Sequence, residues 1–557
     1  MPETPNRRAR FARWCVRQAW SPRRWQRFAL LVALVLATAA LAMINVAARH
    51  QQADIPLTGL NLLDYVYAVF IYLVPQHSLL LADTLHWSEA LVRVVGPLVP
   101  VIGVIWLVRR RVLVGLAEMA LRHGARGHGV LLGDRGSADA LALASAEAGE
   151  VVVLVDPSVV DEEDRLVRLG CAGVICRAQP PASLDRASNL AVWMPSDADN
   201  IARAIDLRGG GTTGNREIHL AVQSADLHRA MLHIPELMLD KAVRLRPHAL
   251  ACTAMRAMVT DAGLAELAIQ RGYRQVTICL WGDSAALGWA AEVTLRQFWS
   301  IRLGPPRVIW ADRVAPLPEA LSHLSACARD VFTQEEQPLV EVVGAAEAVA
   351  DARITCHLVD AVTTDATVAA GFALAARLRQ IHADPPPVQP VLHGASAIAP
   401  LFAGDSLRFR PPIIPGAGLT LQSLVDRPQD REAARIHERY VKRFGDGGTA
   451  PASGRWQDLP ETFVAANRAA ADHRAIKLWD AETSGLNGED LAEALARMEH
   501  NRWCAERLLA GWAPAGDGLR DDGRKLHPDL QPWDGLSEKA RQKDRDAAAD
   551  LLEAASR

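Results

Sequence analysis

The 557-residue chain has no CxxC pair. Its eight cysteines (Cys15, Cys171, Cys176, Cys252, Cys279, Cys327, Cys356 and Cys504) are scattered along it. That scatter argues against a disulfide framework or a zinc site and fits reduced thiols in a cytoplasm. Also absent are GxSxG, HExxH and the GK[ST] ending of a phosphate-binding loop. No catalytic constellation emerges, so neither an enzyme nor a metal site is expected. The formal net charge of −3 says nothing about partners. Its distribution does, because residues 1–27 hold eight Arg and one acid, Glu3. Nucleic-acid binding is not expected, since a basic flank beside a membrane helix accounts for that cluster.

With 50% hydrophobic and 22% charged residues, most of the chain should fold. Its length suggests roughly three to five domains at about 100–200 residues each. The run FALLVALVLATAALAMINVAA (28–48) carries no charge. At ~1.5 Å per residue a helix of that length spans a ~30 Å hydrocarbon core. A second apolar segment, VVGPLVPVIGVIWLV (94–108), is followed by Arg109, Arg110 and Arg111. The loop between the two is poor in basic residues, and Trp14, Trp20, Trp25 and Trp106 suit membrane interfaces. The positive-inside rule then predicts a transmembrane hairpin over 28–112 in an inner (cytoplasmic) membrane, with both termini in the cytoplasm. Between the spans lies YVYAVFIYLVPQHSLLLA (65–82), interrupted by Pro75, Gln76 and His77. It is either a re-entrant pore segment, which requires an oligomer, or an interfacial helix. The potassium filter TVGYG is absent.

After Arg111 the pattern changes to strand, tight turn, helix, strand, acid. GVLL (129–132) leads to Gly133 and Gly136, and VVVLV (151–155) leads to Asp156. This is near the dinucleotide-binding fingerprint, with Arg135 standing where the second glycine belongs. Further strands are expected at AGVIC (172–176), LAVWM (190–194) and IHLAVQ (218–223), and a helix at SDADNIARAI (196–205). RGGGTTGN (208–215) reads as a flexible loop. A second block begins at QVTICLWGDSAALGW, with Gly282 and Gly288, and RVIWAD (307–312) ends in Asp312. ITCHLVD (354–360) and VQPVLHG (388–394) extend it. The candidate cofactor-binding residues are Gly133, Arg135, Gly136, Asp156, Gly282, Gly288 and Asp312.

A hairpin followed by such blocks resembles the tandem regulatory domains of potassium channels and Trk-type uptake systems (RCK, or TrkA-N), over about residues 113–400. The resemblance implies doubly wound Rossmann-type domains, at 113–265 and 266–402, that regulate ion flux. It also implies binding of NAD(H), ATP or another nucleotide, and a tetramer if the hairpin is a channel.

The C-terminal part is different. Met498, Ala505, Leu508 and Leu509 mark an amphipathic helix, and Gly511 its stop. Its other face and the following loop are dense in Trp, Arg, His and Asp. An internal repeat is also visible. His437 precedes Tyr440 by three residues, as His500 precedes Trp503. Trp456, Leu459 and Arg468 share offsets of three and twelve with Trp533, Leu536 and Arg545. The order EHNRW, GW, RDD, HPDL, PWDGL (499–536) resembles the RyR domain, the repeated module of ryanodine receptors. The match lies over 495–550 and extends more weakly over 430–478. The resemblance implies a mostly helical domain at 481–557, preceded by a linker and degenerate copy at 403–480. By it the candidate ligand-binding residues are Asn501, Arg502, Trp503, Arg520, Asp521, Asp522, His527 and Trp533. Alternatively, part of this set holds the fold, with Asp521 or Asp522 pairing Arg502. The expected function is a membrane protein regulated by a nucleotide or other small ligand. It is either channel-like, carrying potassium or other cations, or a membrane-anchored sensor or defence-type effector without selective conduction.

Overall fold

In a computed structural model of the protein, the described residues are 5–20, 32–33, 35–41, 43–44, 101, 104, 108–181, 184–209, 216–232, 243–258, 263–332, 338–361, 363–393, 412–414, 419–426, 430–444, 454–456, 459–516 and 518–556. They form parallel α/β sheets followed by a helical C-terminal region. The chain divides into two compact units, Met1–Val130 with Ala146–Ser188, and Leu131–Ser145 with Asn189–Arg557.

Among the described residues no helix is long and apolar enough to cross a membrane, so the hairpin is unconfirmed. The proposed re-entrant segment 65–82 lies outside the described residues, as does most of 94–108. Those described within 28–48 are helical, and Val32, Val35, Leu36, Met43 and Ile44 are exposed.

The basic N-terminus contains a packed helix. Helix α1 (Arg7–Trp20) starts at Asn6, whose Oδ1 accepts from the Ala9 amide (2.9 Å). Ala9, Ala12, Cys15 and Val16 fall on one face and are buried, as an amphipathic period requires. Within the first unit this helix packs on α3 (Glu163–Ala172). Trp20 lies on Gly170, where a Cβ would stand 2.2 Å from its ring. Trp20 is therefore a packing residue within this unit. Trp14 is exposed and stacks with Phe11 at 6.0 Å. The flank at Arg109–Arg111 also has internal partners: Arg109 donates to Gln18 (3.2 Å), and Arg110 lies 3.5 Å over the Trp20 ring.

The first sheet has strands β1 (His128–Gly133), β2 (Val152–Val155), β3 (Ile175–Arg177), β4 (Ala187–Trp193), β5 (Arg216–Ala221) and β6 (Val243–His248), in the order β3-β2-β1-β4-β5-β6. Its helices include α2 (Gly136–Glu147), α4 (Asp197–Gly209), α5 (Ala225–Leu232) and α6 (Leu250–Met258). The second sheet has β7 (Thr277–Trp281), β8 (Arg307–Ala311), β9 (Val340–Val343), β10 (Cys356–Val359) and β11 (Val388–Pro390), all paired in parallel, in the order β11-β10-β7-β8-β9. Counted from its own first strand, this repeats the doubly wound order of the first sheet, with a switch point between β7 and β10. Every residue of β1, β2 and β8 is buried, as in sheets covered on both faces. Strands β6 and β9 were not expected from the sequence. Both are edge strands whose apolar runs are broken by Arg244, Arg246 and Glu341. The glycine-rich stretch expected as a loop lies largely outside the described residues, at 210–215.

Helix α7 (Ala285–Gln297) is buried almost all round, and Ser284 caps it. Also in this block are α8 (Glu319–Val331) and α9 (Thr364–Ile381). The C-terminal helices are α10 (Arg431–Phe444), α11 (Glu461–Asp472), α12 (Arg474–Thr483), α13 (Gly488–Leu509) and α14 (Glu538–Ser556). Helix α13 packs on both α7 and α8, so one hydrophobic core runs from the second sheet into this region. Gly511, at φ +83°, ends α13 as its left-handed residue.

Candidate functional site

Helix α10 packs on α11, and α13 on α14. The same bonds hold both pairs. His437 Nε2 meets the Gly454 carbonyl at 2.7 Å, and His500 Nε2 meets the Gln531 carbonyl at 2.8 Å. Each imidazole faces a tryptophan, with ring centroids 6.1 Å apart for Trp456 and 5.7 Å for Trp533. Arg468 donates to Asp430 and Glu461 (both 2.6 Å). Arg545 donates to Glu493 (2.6 Å) and to Glu538. Asp430 and Glu493 each stand seven residues before the histidine, and Glu461 and Glu538 each open the second helix. The duplication read from spacing is thus a duplication of hydrogen bonds.

A cavity of about 920 Å³ is lined by both copies and by the loop after α13. Trp503 and Trp512 flank His527, at ring distances of 5.0 and 6.0 Å. The Arg507 guanidinium lies 5.7 Å, and that of Arg520 5.6 Å, from the Trp512 ring centroid. Lys525 and Lys543 add positive charge to the lining. Such a wall of aromatic faces and cations suits a planar anion.

The electrostatics separate supporting groups from available ones. Burial opposes the charge on Glu499, but Arg502 and Lys477 outweigh it and hold its carboxyl well below the usual carboxylate range. Burial likewise opposes charge on His500. Hydrogen bonds with Asp544, Cys504 and the Gln531 carbonyl win, and its pKa rises to about 10. His527 goes the other way. Burial, with Arg520 and Arg507 nearby, lowers its pKa to about 4 despite Asp529. Its Nδ1 accepts from the Asp529 amide (3.1 Å), so the neutral ring carries its proton on Nε2.

Of the predicted ligand residues, Arg502, Trp503, Arg520, Asp522 and His527 line the cavity. Asn501, Asp521 and Trp533 are outside its lining. Asp521 accepts from the Arg524 amide (3.0 Å). Trp533 is buried, and its Nε1 donates to Glu493 (3.0 Å). The expected pairing of Arg502 with Asp521 or Asp522 does not occur. Arg502 pairs with Glu499 (2.9 Å), one turn away on the same helix and also buried, while the exposed Asp522 pairs with Arg520 (2.6 Å). Sequence reasoning missed Arg507, Trp512, Lys525 and Lys543, and the first copy's Tyr440, Phe463 and Asn467. The i,i+4 spacing of Trp503 and Arg507 and the repeat itself were the available signals.

The two glycine turns also have internal partners. At Gly133 a Cβ would stand 2.5 Å from that of Ala138 and 2.8 Å from the Trp193 carbonyl, so helix–strand packing demands the glycine. Arg135 (φ +44°) and Gly136 (φ +49°) form the turn, with the Arg135 side chain exposed. The Asp156 carboxylate accepts from the Ser158 amide (2.8 Å) and pairs with Arg165 (2.7 Å). At Gly282 (φ +115°) a Cβ would lie 2.0 Å from the Asp360 carbonyl, so β7 and β10 close together at the switch point. Buried Asp360 there accepts from Ser284 Oγ (2.5 Å) and pairs with His393 Nε2 (3.0 Å). Ser and His both sit on the carboxylate, so this is not a nucleophile–base pair. Gly288 has room for a Cβ, and Asp312 caps the short helix Ala345–Ala350 through the Ala345 amide (2.8 Å).

Two solved structures are similar to this chain. One is the crystal structure of a point mutant of GsuK, at 15% identity and TM-score 0.34, covering 72% of this chain and 98% of that one. The other is the GsuK channel bound to NAD, at 13% identity and TM-score 0.34, covering 74% and 84%. No curated protein matches the chain. In the C-terminal region, where the paired tryptophans and arginines meet, residues 485–556 match the family model of the RyR domain.

Proposed function

We propose that this protein is a ligand-regulated membrane protein whose sensor is the cavity at the RyR domain. The observation that carries the reading is the wall of Trp503, Trp512 and His527 interleaved with Arg507, Arg520 and Lys525. Stacking faces beside cations suit a nucleotide, whose base is planar and whose phosphates are anionic. The exposed pair between Arg520 and Asp522 contributes little by itself and yields readily to a phosphate.

The chain acts by binding and not by catalysis. Ligand held on α13 bears on α7 and α8, which share its core, and so biases the α/β blocks that follow the hairpin. The bias requires that ligand favour one of two conformations. The readout is conduction through a homo-oligomeric pore, a tetramer if channel-like, in an inner membrane with both termini cytoplasmic. NAD(H) or another nucleotide is the proposed ligand class. A second reading is favoured by the missing TVGYG filter: a membrane-anchored sensor or defence-type effector without selective conduction.

The test is ion flux from liposomes holding the full-length protein, with and without a panel of nucleotides, beside Trp503→Ala. Flux that a nucleotide switches and Trp503→Ala abolishes supports the gated pore. Intact nucleotide binding without flux leaves the tethered sensor.

A further inference from the structure

The two copies turn the same face toward the cavity. His437 and His500, Tyr440 and Trp503, Phe463 and Ala540, and Asn467 and Asp544 are equivalent by their offsets from the histidine or the tryptophan of each copy. All four pairs are in its lining. A single-ring ligand stacked on Trp503 would leave the Tyr440 side of 920 Å³ unfilled, and that volume is at the top of the ~300–1,000 Å³ range of ligand sites.

The walls differ in charge. The second copy and its loop supply Arg520, Lys525 and Lys543, with the carboxylates of Asp522 and Asp529 beside them, while the first copy lines the cavity with the uncharged Tyr440, Phe463 and Ala466. Asn467 donates its amide N–H to the Phe463 carbonyl (2.8 Å) and so presents Oδ1 as an acceptor, which suits an exocyclic amine. One wall thus offers aromatic faces and an amide, and the other aromatic faces and cations.

We infer that the cavity takes a dinucleotide, with one base on Trp503, the second on Tyr440 and Phe463, and the linking phosphates on the basic loop of the second copy. This rests on the nucleotide reading above and specifies its ligand. The degenerate copy is then half of the binding site.

The test is calorimetric titration of the full-length protein in detergent with matched probes: AMP against diadenosine diphosphate, and GMP against diguanosine diphosphate. At least one dinucleotide should bind about tenfold or more tighter than its mononucleotide, the value of one added stacking contact. Tyr440→Ala should collapse that advantage, costing the dinucleotide about tenfold or more and the mononucleotide less. Tyr440→Phe, which keeps the ring, should retain the advantage, and Trp503→Ala should weaken both probes. Equal affinities for both members of each pair would overturn the two-ring site while leaving a nucleotide sensor. So would a dinucleotide advantage that survives Tyr440→Ala. Binding of no probe would remove the nucleotide reading itself, and this inference with it.

Discussion

The two helical copies carry the same bonds at very different exposure. In the first, Arg468 grips Asp430 and Glu461, whose side chains are 1% and 2% exposed. In the second, Arg545 grips Glu493 and Glu538, at 38% and 70%. The pattern was inherited by both, but its energetic weight was not. Buried, the pair is structural, and leaving one partner unpaired is costly. Exposed, it is screened by water. The second copy instead invests its variation in the cavity, where the loop absent from the first brings Arg520, Lys525 and His527 together.

The comparison can be broken most sharply at the two arginines. Arg468→Ala should destabilise the protein by about 3 kcal/mol, because Asp430 and Glu461 lose their principal partner in the core. Thermal and urea unfolding of the detergent-solubilised chain checks this. An unchanged midpoint would show that Arg256 and Arg246, beside the same carboxylates, suffice.

Next in size is Trp503→Ala, expected to weaken nucleotide binding about tenfold or more while shifting the unfolding midpoint little, since its ring is only partly buried. A large loss of stability with unaltered binding would make Trp503 a core residue.

A pH titration probes the histidines. His500 has a folded pKa of about 10, above its ordinary 6.5. Its contribution is fully present below 6.5 and is lost as pH rises toward 10. The wild type should therefore lose stability across that window, and His500→Gln should flatten the dependence. His527, with a folded pKa of about 4, has the opposite sign and contributes a loss as pH falls from 6.5 toward 4.

The smallest effect is expected at Arg545→Ala, about 1 kcal/mol or less, because the same bonds there are solvated. Matching losses at Arg468 and Arg545 would erase the distinction between the copies.

Much of this was legible beforehand. Short apolar strands alternating with Ala-rich helices showed two wound blocks, and the offsets of His437, Trp456 and Arg468 showed the repeat. Strands β6 and β9 were hidden because edge strands need no continuous apolar run. Helix α1 was hidden because its eight-arginine neighbourhood masks a narrow buried stripe of Ala9, Ala12, Cys15 and Val16. Trp533 looked like a ligand residue because sequence shows a tryptophan's presence and not the direction of its ring.

Periodicity and spacing by themselves determined the wound blocks and the duplication, and the motif order over 499–536 marked the stretch that resembles the RyR domain, since these depend on patterns local to each segment. Only the tertiary structure decided which partner each charge takes and which side chains meet at the cavity. Arg502 is held by Glu499, and Asp156 by Arg165, because burial makes an unpaired charge costly and folding brings the nearest opposite charge to it. Arg507, Lys525 and Tyr440 come to one cavity because helices far apart in the chain pack side by side, which no spacing along it records.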